Sequence, residues 1–305
     1  MTPMRLLVSV LFALGVSAGL AHAQDVRPAG FSLPPMVATP MTPAKELFGR
    51  VQRPNAGPDR SIGFYSNGCM SGGVALPLTG PTWQVMRPGR NRFYGRRRLI
   101  AMIQRVSKKV AAQTNWAGLL IGDMAQPRGG PMLGGHGSHQ IGLDVDIWLR
   151  QMPAQEIPMA QRETIMSSMV VAQNRIDVNG YWTPDTLGAI KAVATDPEVE
   201  RVLVNPAIKR AICRQATGDR SWLQKVRPNW GHDYHMHVRI GCGGEKSCRP
   251  QRDVVPGEGC GKELDYWFQR AILFPDPSPK KPSKAPPPFT VAKLPGECAA
   301  VLNAP

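Results

Sequence analysis

The chain has 305 residues, 37 Lys and Arg against 22 Asp and Glu, a net charge of +15 and 42% hydrophobic residues. A chain of this size and apolar content builds one large domain or two small ones, which excludes pervasive disorder and a collagen-like rod. The basic excess reads equally as a solvated surface or as attraction to an anionic polymer such as a cell wall or membrane face, and charge alone does not choose.

Residues 1–23 combine a basic residue (Arg5), an apolar run from Leu6 to Leu20 and the small-residue end Ala21-His22-Ala23, the zones of a cleavable secretory signal; cleavage is expected near Ala23/Gln24. No later apolar stretch reaches the ~18 residues needed to span a bilayer, so an exported protein without a transmembrane segment is expected, with no nucleic acid among its partners. Residues 24–60 are rich in Pro, Ala and Thr and read as an arm over the surface, with a short helical piece around Ala44 to Val51. The compact body is expected over residues 61–272. Within it Leu99, Ile100, Ile103, Val106 and Val110 fall at helical spacing between basic residues, predicting an amphipathic helix over 97–112. Leu119 to Met124 reads as a buried strand, followed by a Gly- and Pro-loaded loop over 126–135. Leu143 to Leu149 alternates Leu143, Val145 and Ile147 with Asp144 and Asp146, a half-buried strand. Val202 to Val204 reads as another strand, and Pro206 opens a helix over 207–213. In His235 to Ile240, His235, His237 and Arg239 share one face and Met236, Val238 and Ile240 the other. With no regular βαβ repeat, the class expected is α+β: a small antiparallel sheet carrying the site, flanked by helices. Residues 273–305 open with alternating Pro and Lys, favouring an extended tail, yet Cys298 lies beyond that stretch. Six cysteines and no Cys-x-x-Cys pair point to three disulfides rather than a zinc cluster, with the pairing open; a bridge from Cys298 ties the tail back to the body.

Apart from His22, the histidines fall in two windows, His136 with His139 and His232 with His235 and His237. Imidazole is the commonest protein ligand of zinc, and catalytic zinc keeps three protein ligands and an open position. If the two strands are antiparallel neighbours, His139, Asp146 and His237 converge on one ion and His235 lies one pleat away. Asp144 shares a face with Asp146 and is a candidate to orient an imidazole. His136 is a less certain fourth ligand, and a network of hydrogen-bonded histidines without metal is the plainer alternative.

These residues form a His-x6-Asp followed downstream by His-x-His, and the chain there resembles the group of zinc peptidases that includes lysostaphin-like enzymes, D-alanyl-D-alanine carboxypeptidases and dipeptidases, and hedgehog domains. More of it is similar to one family in that group, the penicillin-insensitive murein endopeptidases. The similar segments are Ser61-Ile-Gly, Ser66-Asn-Gly-Cys69, Gln84-Val-Met-Arg87, Arg92 to Gly95, Leu120-Ile-Gly-Asp-Met124, Gly134 to Asp146, Val204 to Lys209, and Lys225-Val-Arg-Pro228 leading to His237-Val-Arg239. The resemblance implies a periplasmic enzyme that hydrolyses the D-alanyl to meso-diaminopimelyl cross-link of peptidoglycan. It places zinc on His139, Asp146 and His237, further active-site histidines at His136, His232 and His235, and disulfides as Cys69 with Cys298, Cys213 with Cys260, and Cys242 with Cys248. One departure stands out. Family members can carry Asp-x-x-His before the Trp182-Thr-Pro segment, whereas Gln173 to Ile176 holds no His, which puts a second metal in doubt and leaves Asp177 a weak substitute.

No Glu stands in a His-Glu-x-x-His arrangement, so His235 is the candidate proton carrier or oxyanion stabiliser, with His232 as auxiliary. No Ser-x-x-Lys precedes a strand and helix, and Ser138, in its Gly-rich loop, reads as a turn residue rather than a nucleophile. Trp230 and Tyr234 are the aromatic candidates for a substrate groove; core packing is the default for Trp148, Tyr181 and Trp182. A D,D-carboxypeptidase or dipeptidase with a closed pocket, and a non-catalytic wall-binding protein with a structural zinc, are the competing functions.

Overall fold

A computed structural model of the protein describes residues 33, 35–252, 256–274 and 287–305. The expected signal segment and most of the Pro/Lys stretch, residues 275–286, lie outside the described residues.

A mixed seven-stranded sheet forms the centre of an α+β fold. Its strands lie in the order Val226–Pro228, Val199–Val204, His235–Ile240, Asp144–Trp148, Leu119–Ile121, Trp83–Val85, Thr79–Gly80. Pairing is antiparallel through the middle, with a parallel pair towards each edge. The middle register decides the rest: His237 faces Asp146, Arg239 faces Asp144 and His235 faces Trp148 across one antiparallel ladder. Two-residue periodicity then puts His235, His237, Arg239, Asp144 and Asp146 on one face and Met236, Val238, Ile240, Val145 and Ile147 on the other.

The apolar face packs against the helices. The helix Arg97–Gln113 buries Leu99, Ile100, Met102, Ile103, Val106 and Val110 at the spacing the sequence predicts, and the helix Pro184–Ala194 joins the same core through Ala189, Ile190 and Val193. The second helix begins with Pro184 in its first turn and a reciprocal cap between Thr183 and Thr186, which satisfies amide donors that the helix leaves free. The helix Pro206–Gln215 starts where Pro206 predicts it, capped by Asn205, whose side chain accepts from the amide of Ala207 at 3.0 Å.

The alternating strands differ from expectation in one respect. Asp144–Trp148 and His235–Ile240 are buried on both faces, not one. The polar face is roofed by the loop over residues 126–142 and by a hairpin of Arg60–Phe64 with Asn67–Ser71, and Tyr65 stacks its ring 3.9 Å under the Arg239 guanidinium. Period-two patterning reports polarity of a face, and here the polar face carries buried carboxylates, imidazoles and a guanidinium instead of solvent.

All six cysteines are bridged, as Cys69–Cys298, Cys213–Cys260 and Cys242–Cys248. The first fastens the carboxy-terminal helix Glu297–Asn303 to the hairpin, where Cys298, Leu294 and Val301 join Ala44, Phe48, Ile62 and Cys69 in a small separate core. The expected helical piece of the amino-terminal arm is Ala44–Phe48, and its two buried residues are in that core. Arg128 completes the attachment: its guanidinium donates to the carbonyls of Val301, Leu302 and Ala304 at 3.1, 2.8 and 2.6 Å, satisfying acceptors at the end of the last helix.

Lys209 is fully buried on the helix Pro206–Gln215, donating to the carbonyls of Leu223 and Glu258 at 2.9 and 2.6 Å. Burial, and then Arg227, outweigh the pull of Glu263 and Glu258 and bring its pKa down from 10.5 to about 7. Between those two values the unfolded chain holds a proton that the folded protein has released, so stability rises with pH across that window, by at most about 1.4 kcal/mol per pH unit. The melting temperature of the native protein should therefore climb relative to that of Lys209→Met from pH 7 to pH 9.5. A difference that stays constant would show that this amine is not desolvated.

Candidate metal centre

Five histidines and three aspartates meet where the loop over residues 126–142 crosses the polar face of the sheet. Asp146 lies at the middle of the cluster. Its Oδ1 is 3.1 Å from Nδ1 of His237 and 3.3 Å from Nε2 of His139, and its Oδ2 is 3.6 Å from Nδ1 of His136 and 3.6 Å from Nε2 of His235. His136, His139 and Asp146 each offer a donor atom within 4.8 Å of the other two. The rings of His139 and His237 stand edge to face at 4.6 Å, and those of His232 and His235 are tilted to each other at 5.1 Å.

The backbone explains how His139 reaches this place. Its φ is +66°, left-handed for a residue with a Cβ, and the turn is held by donation of its amide to Oδ2 of Asp144 at 3.0 Å and by Gly130 donating to the carbonyl of Gln140 at 2.9 Å. Gly142, also at positive φ, closes the turn where a Cβ would stand 2.1 Å from Sδ of Met70. His232 is left-handed too, at +55°. Backbone strain thus falls on two residues of the cluster.

Asp144 does more than the sequence reading assigned to it. Besides holding the His139 turn, it takes a two-pronged ion pair from Arg239, at 2.7 Å from Nε and 3.1 Å from Nη2, and lies 3.4 Å from Nε2 of His237. Asp123 was missed by sequence reasoning altogether. It follows the short strand Leu119–Ile121 and accepts from Arg90, Arg92 and Nε2 of His136, each at 3.0 Å. The signal available was its place at the end of a buried strand. Asp177, by contrast, is half-buried and paired with Arg214, away from the cluster.

The electrostatics favour positive charge at this spot. Burial opposes ionisation of Asp146, yet the imidazoles of His139 and His235 hold its carboxyl well below the usual range. Burial likewise opposes charge on His237, and Asp144 and Asp146 overcome it, raising the imidazole to about 9. His235 goes the other way: burial lowers it to about 4 against the attraction of Asp146. For Asp123, burial is outweighed by its bond to His136 and by Arg90 and Arg92, leaving it at about 2.

Two observations show that the donor set fits a metal ion. His139 is fully buried, and among the described residues neither ring nitrogen makes a well-formed hydrogen bond, Nε2 having only the Asp146 carboxylate at 3.3 Å; Nδ1 of His235 is buried and unpartnered among them as well. Unsatisfied buried polar atoms cost ~1–3 kcal/mol each and persist where something else satisfies them. The separations of 3.1 and 3.3 Å about Oδ1 of Asp146 match those of ligands on one tetrahedral zinc, ~3.3 Å for bonds of ~2.0 Å. Imidazole with carboxylate is a donor chemistry suited to zinc.

The cluster is flanked by two cavities of about 580 and 620 Å³, which share His136 and His232 in their walls. Trp230 and Tyr234, 37% and 39% exposed, line the second beside His235. Trp148 packs in a core with Met86, Leu120, Met152 and Ile157, whereas Tyr181, also expected in the core, is exposed.

An α+β domain in which buried imidazoles and carboxylates gather between two open cavities has the arrangement of a hydrolytic enzyme, and the comparisons identify it as a peptidase. The chain belongs to the penicillin-insensitive murein endopeptidase family, which matches residues 61–303. It is 43% identical over 275 residues to the penicillin-insensitive murein endopeptidase of Yersinia enterocolitica, covering 88% of this chain and 92% of that one. The proteins of the same name from Pectobacterium atrosepticum and Klebsiella pneumoniae are each 42% identical, over 85% and 83% of this chain and 90% of their own. Among the described residues no helix is long and apolar enough to cross a membrane.

Proposed function

We propose that this chain is a zinc-dependent endopeptidase of peptidoglycan that acts in the periplasm on the D-alanyl to meso-diaminopimelyl cross-link. His139, Asp146 and His237 would hold one zinc ion, with His136 beside them as a further donor. The observation that carries this reading is His139, fully buried, with no well-formed hydrogen bond to either ring nitrogen among the described residues and with Nε2 3.3 Å from the Asp146 carboxylate. A bound zinc supplies Lewis acidity for attack of water on the amide carbonyl.

The protein's own groups supply the rest. Asp144 fixes the His139 turn and lies against His237, so the imidazoles are oriented by groups that are themselves anchored through Arg239. Asp123 does the same for His136. His235, kept neutral at neutral pH by burial, has a free Nδ1 to take the proton of the attacking water and return it to the departing amine, with His232 5.1 Å away as auxiliary. Hydrolysis then proceeds without a nucleophilic serine, the group β-lactams acylate.

A carboxypeptidase needs room on one side of the scissile bond, whereas a cross-link continues on both. Cavities on either side of His136 and His232 favour the endopeptidase. Metal analysis joined to digestion of purified murein tests both halves of this reading. About one equivalent of zinc is expected, with cross-linked dimers falling to monomers and a chelator abolishing the reaction. Chelator-resistant cleavage would overturn the metal's role, and release of terminal D-Ala alone would transfer the protein to the carboxypeptidases.

A further inference from the structure

The cavity of about 580 Å³ beside the cluster concentrates positive charge on one side of the sheet. Three arginines line it, Arg201, Arg227 and Arg239. The sheet places them: Arg239 lies across the ladder from Arg201, while His237 pairs with Leu203, which pairs in turn with Arg227. Strands are spaced ~4.8 Å apart, so on the same polar face Arg227 lies two strands, ~10 Å, from His237, and the row Asp144, Arg239, Arg201 runs beside that one. Two of the guanidiniums have carboxylate partners. Arg239 is paired with Asp144, and Nη1 of Arg227 donates to Glu263 at 2.7 Å.

Arg201 differs. Its Nη2 donates to the carbonyl of Arg252 at 3.0 Å, its Nε is buried with no partner among the described residues, and no carboxylate is in ion-pair range of it among them. Burial, and then Arg239 and Arg227, press its pKa below the ordinary value. A guanidinium facing two others in a partly desolvated cavity is unfavourable by itself, and the geometry of its fork suits an oxyanion, carboxylate or phosphate, bound by two donors; in a peptide substrate that oxyanion is a carboxylate.

We infer that Arg201, flanked by Arg239 and Arg227, forms an anion subsite that binds a free carboxylate of the substrate's stem peptide and thereby positions the scissile amide over the histidine cluster. This rests on the peptidase reading above. Two sources of that carboxylate fit the cavity, the diaminopimelyl carboxylate next to the scissile amide and the terminal carboxylate of the peptide. Arg201 is on this account a specificity-determining residue outside the hydrolytic machinery itself.

The test is calorimetric titration with the muropeptide monomer, a product that is not turned over, and with monomers amidated at each carboxylate in turn. For the native protein, amidation at one of those two positions should weaken binding about 10- to 100-fold, the scale of a charge-assisted hydrogen-bonded pair, and should identify the source. Arg201→Gln should bind the acid and the amide alike, while Arg201→Lys should keep part of the discrimination, since it retains the charge but not the fork. Melting curves establish that each variant is folded; were Arg201→Gln to unfold, the Lys variant's reduced discrimination carries the comparison. Equal binding of acids and amides by the native protein, or a penalty that survives in Arg201→Gln, would overturn the subsite. Digestion of murein dimers by the same preparation scores the peptidase reading separately.

Discussion

Asp146→Asn is expected to lose the bound zinc and to slow murein dimer cleavage on the order of 10³-fold or more, equivalent to about 4 kcal/mol of barrier. The substitution keeps the shape of the side chain and removes only its charge. That charge is what four imidazoles converge on, at 3.1 to 3.6 Å. With a neutral amide in its place, Oδ1 becomes a poor ligand for a divalent cation, and Asp144, already committed to Arg239, is the remaining acidic group against His237. The fold should survive, because the helices pack on the opposite, apolar face through Val145, Ile147 and Val238. Metal analysis, dimer digestion and a melting curve on the same sample check this together. A variant that retains a full equivalent of zinc and native turnover would remove Asp146 from the ligand set and, with it, the reading of the cluster as one centre.

Much of this centre was legible before any coordinates. Alternation in Asp144–Trp148 and His235–Ile240 assigned each charged residue to a face, and one antiparallel register then sufficed to bring His237 opposite Asp146. What the sequence withheld depends on contacts between distant segments. Nothing local marks Asp123 as the anchor of His136, because its partners Arg90 and Arg92 arrive from a loop before the first long helix. Nothing local marks Arg201 either, since a lone Arg on an alternating strand is normally a solvated side chain, and only the pairing of its strand with His235–Ile240 sets it against Arg239. Full burial of the two central strands was likewise hidden. Alternation distinguishes polar from apolar faces, and cannot say that a Gly-rich loop and a disulfide-fastened hairpin will close over the polar one. The disulfides show the same division: even count and compartment argued for three, while Cys69 reaching Cys298 became apparent through family resemblance and through the small core that gathers around the pair.

His235→Ala separates metal binding from proton transfer. Zinc should remain near one equivalent and the chain should melt close to the native temperature, while turnover falls by ~10²- to 10⁴-fold, the range for loss of a positioned acid-base group. The reasoning is positional. His235 is one pleat from His237 on the same strand and faces Trp148 across the ladder, so its Nε2 lies 3.6 Å from Asp146 Oδ2 rather than Oδ1, to which His139 and His237 are drawn. Its Nδ1 is buried, unpartnered and, with burial holding the ring neutral at neutral pH, free to accept a proton. His235 lines the adjoining cavity together with Tyr234 and Trp230. Loss of zinc in this variant would assign His235 to the ligands, and native turnover would transfer the proton to His232, 5.1 Å away and bonded through Nδ1 to the Trp230 carbonyl at 2.9 Å. On the reading in which His235 carries the proton, His232→Ala, made alongside, should be the milder of the two.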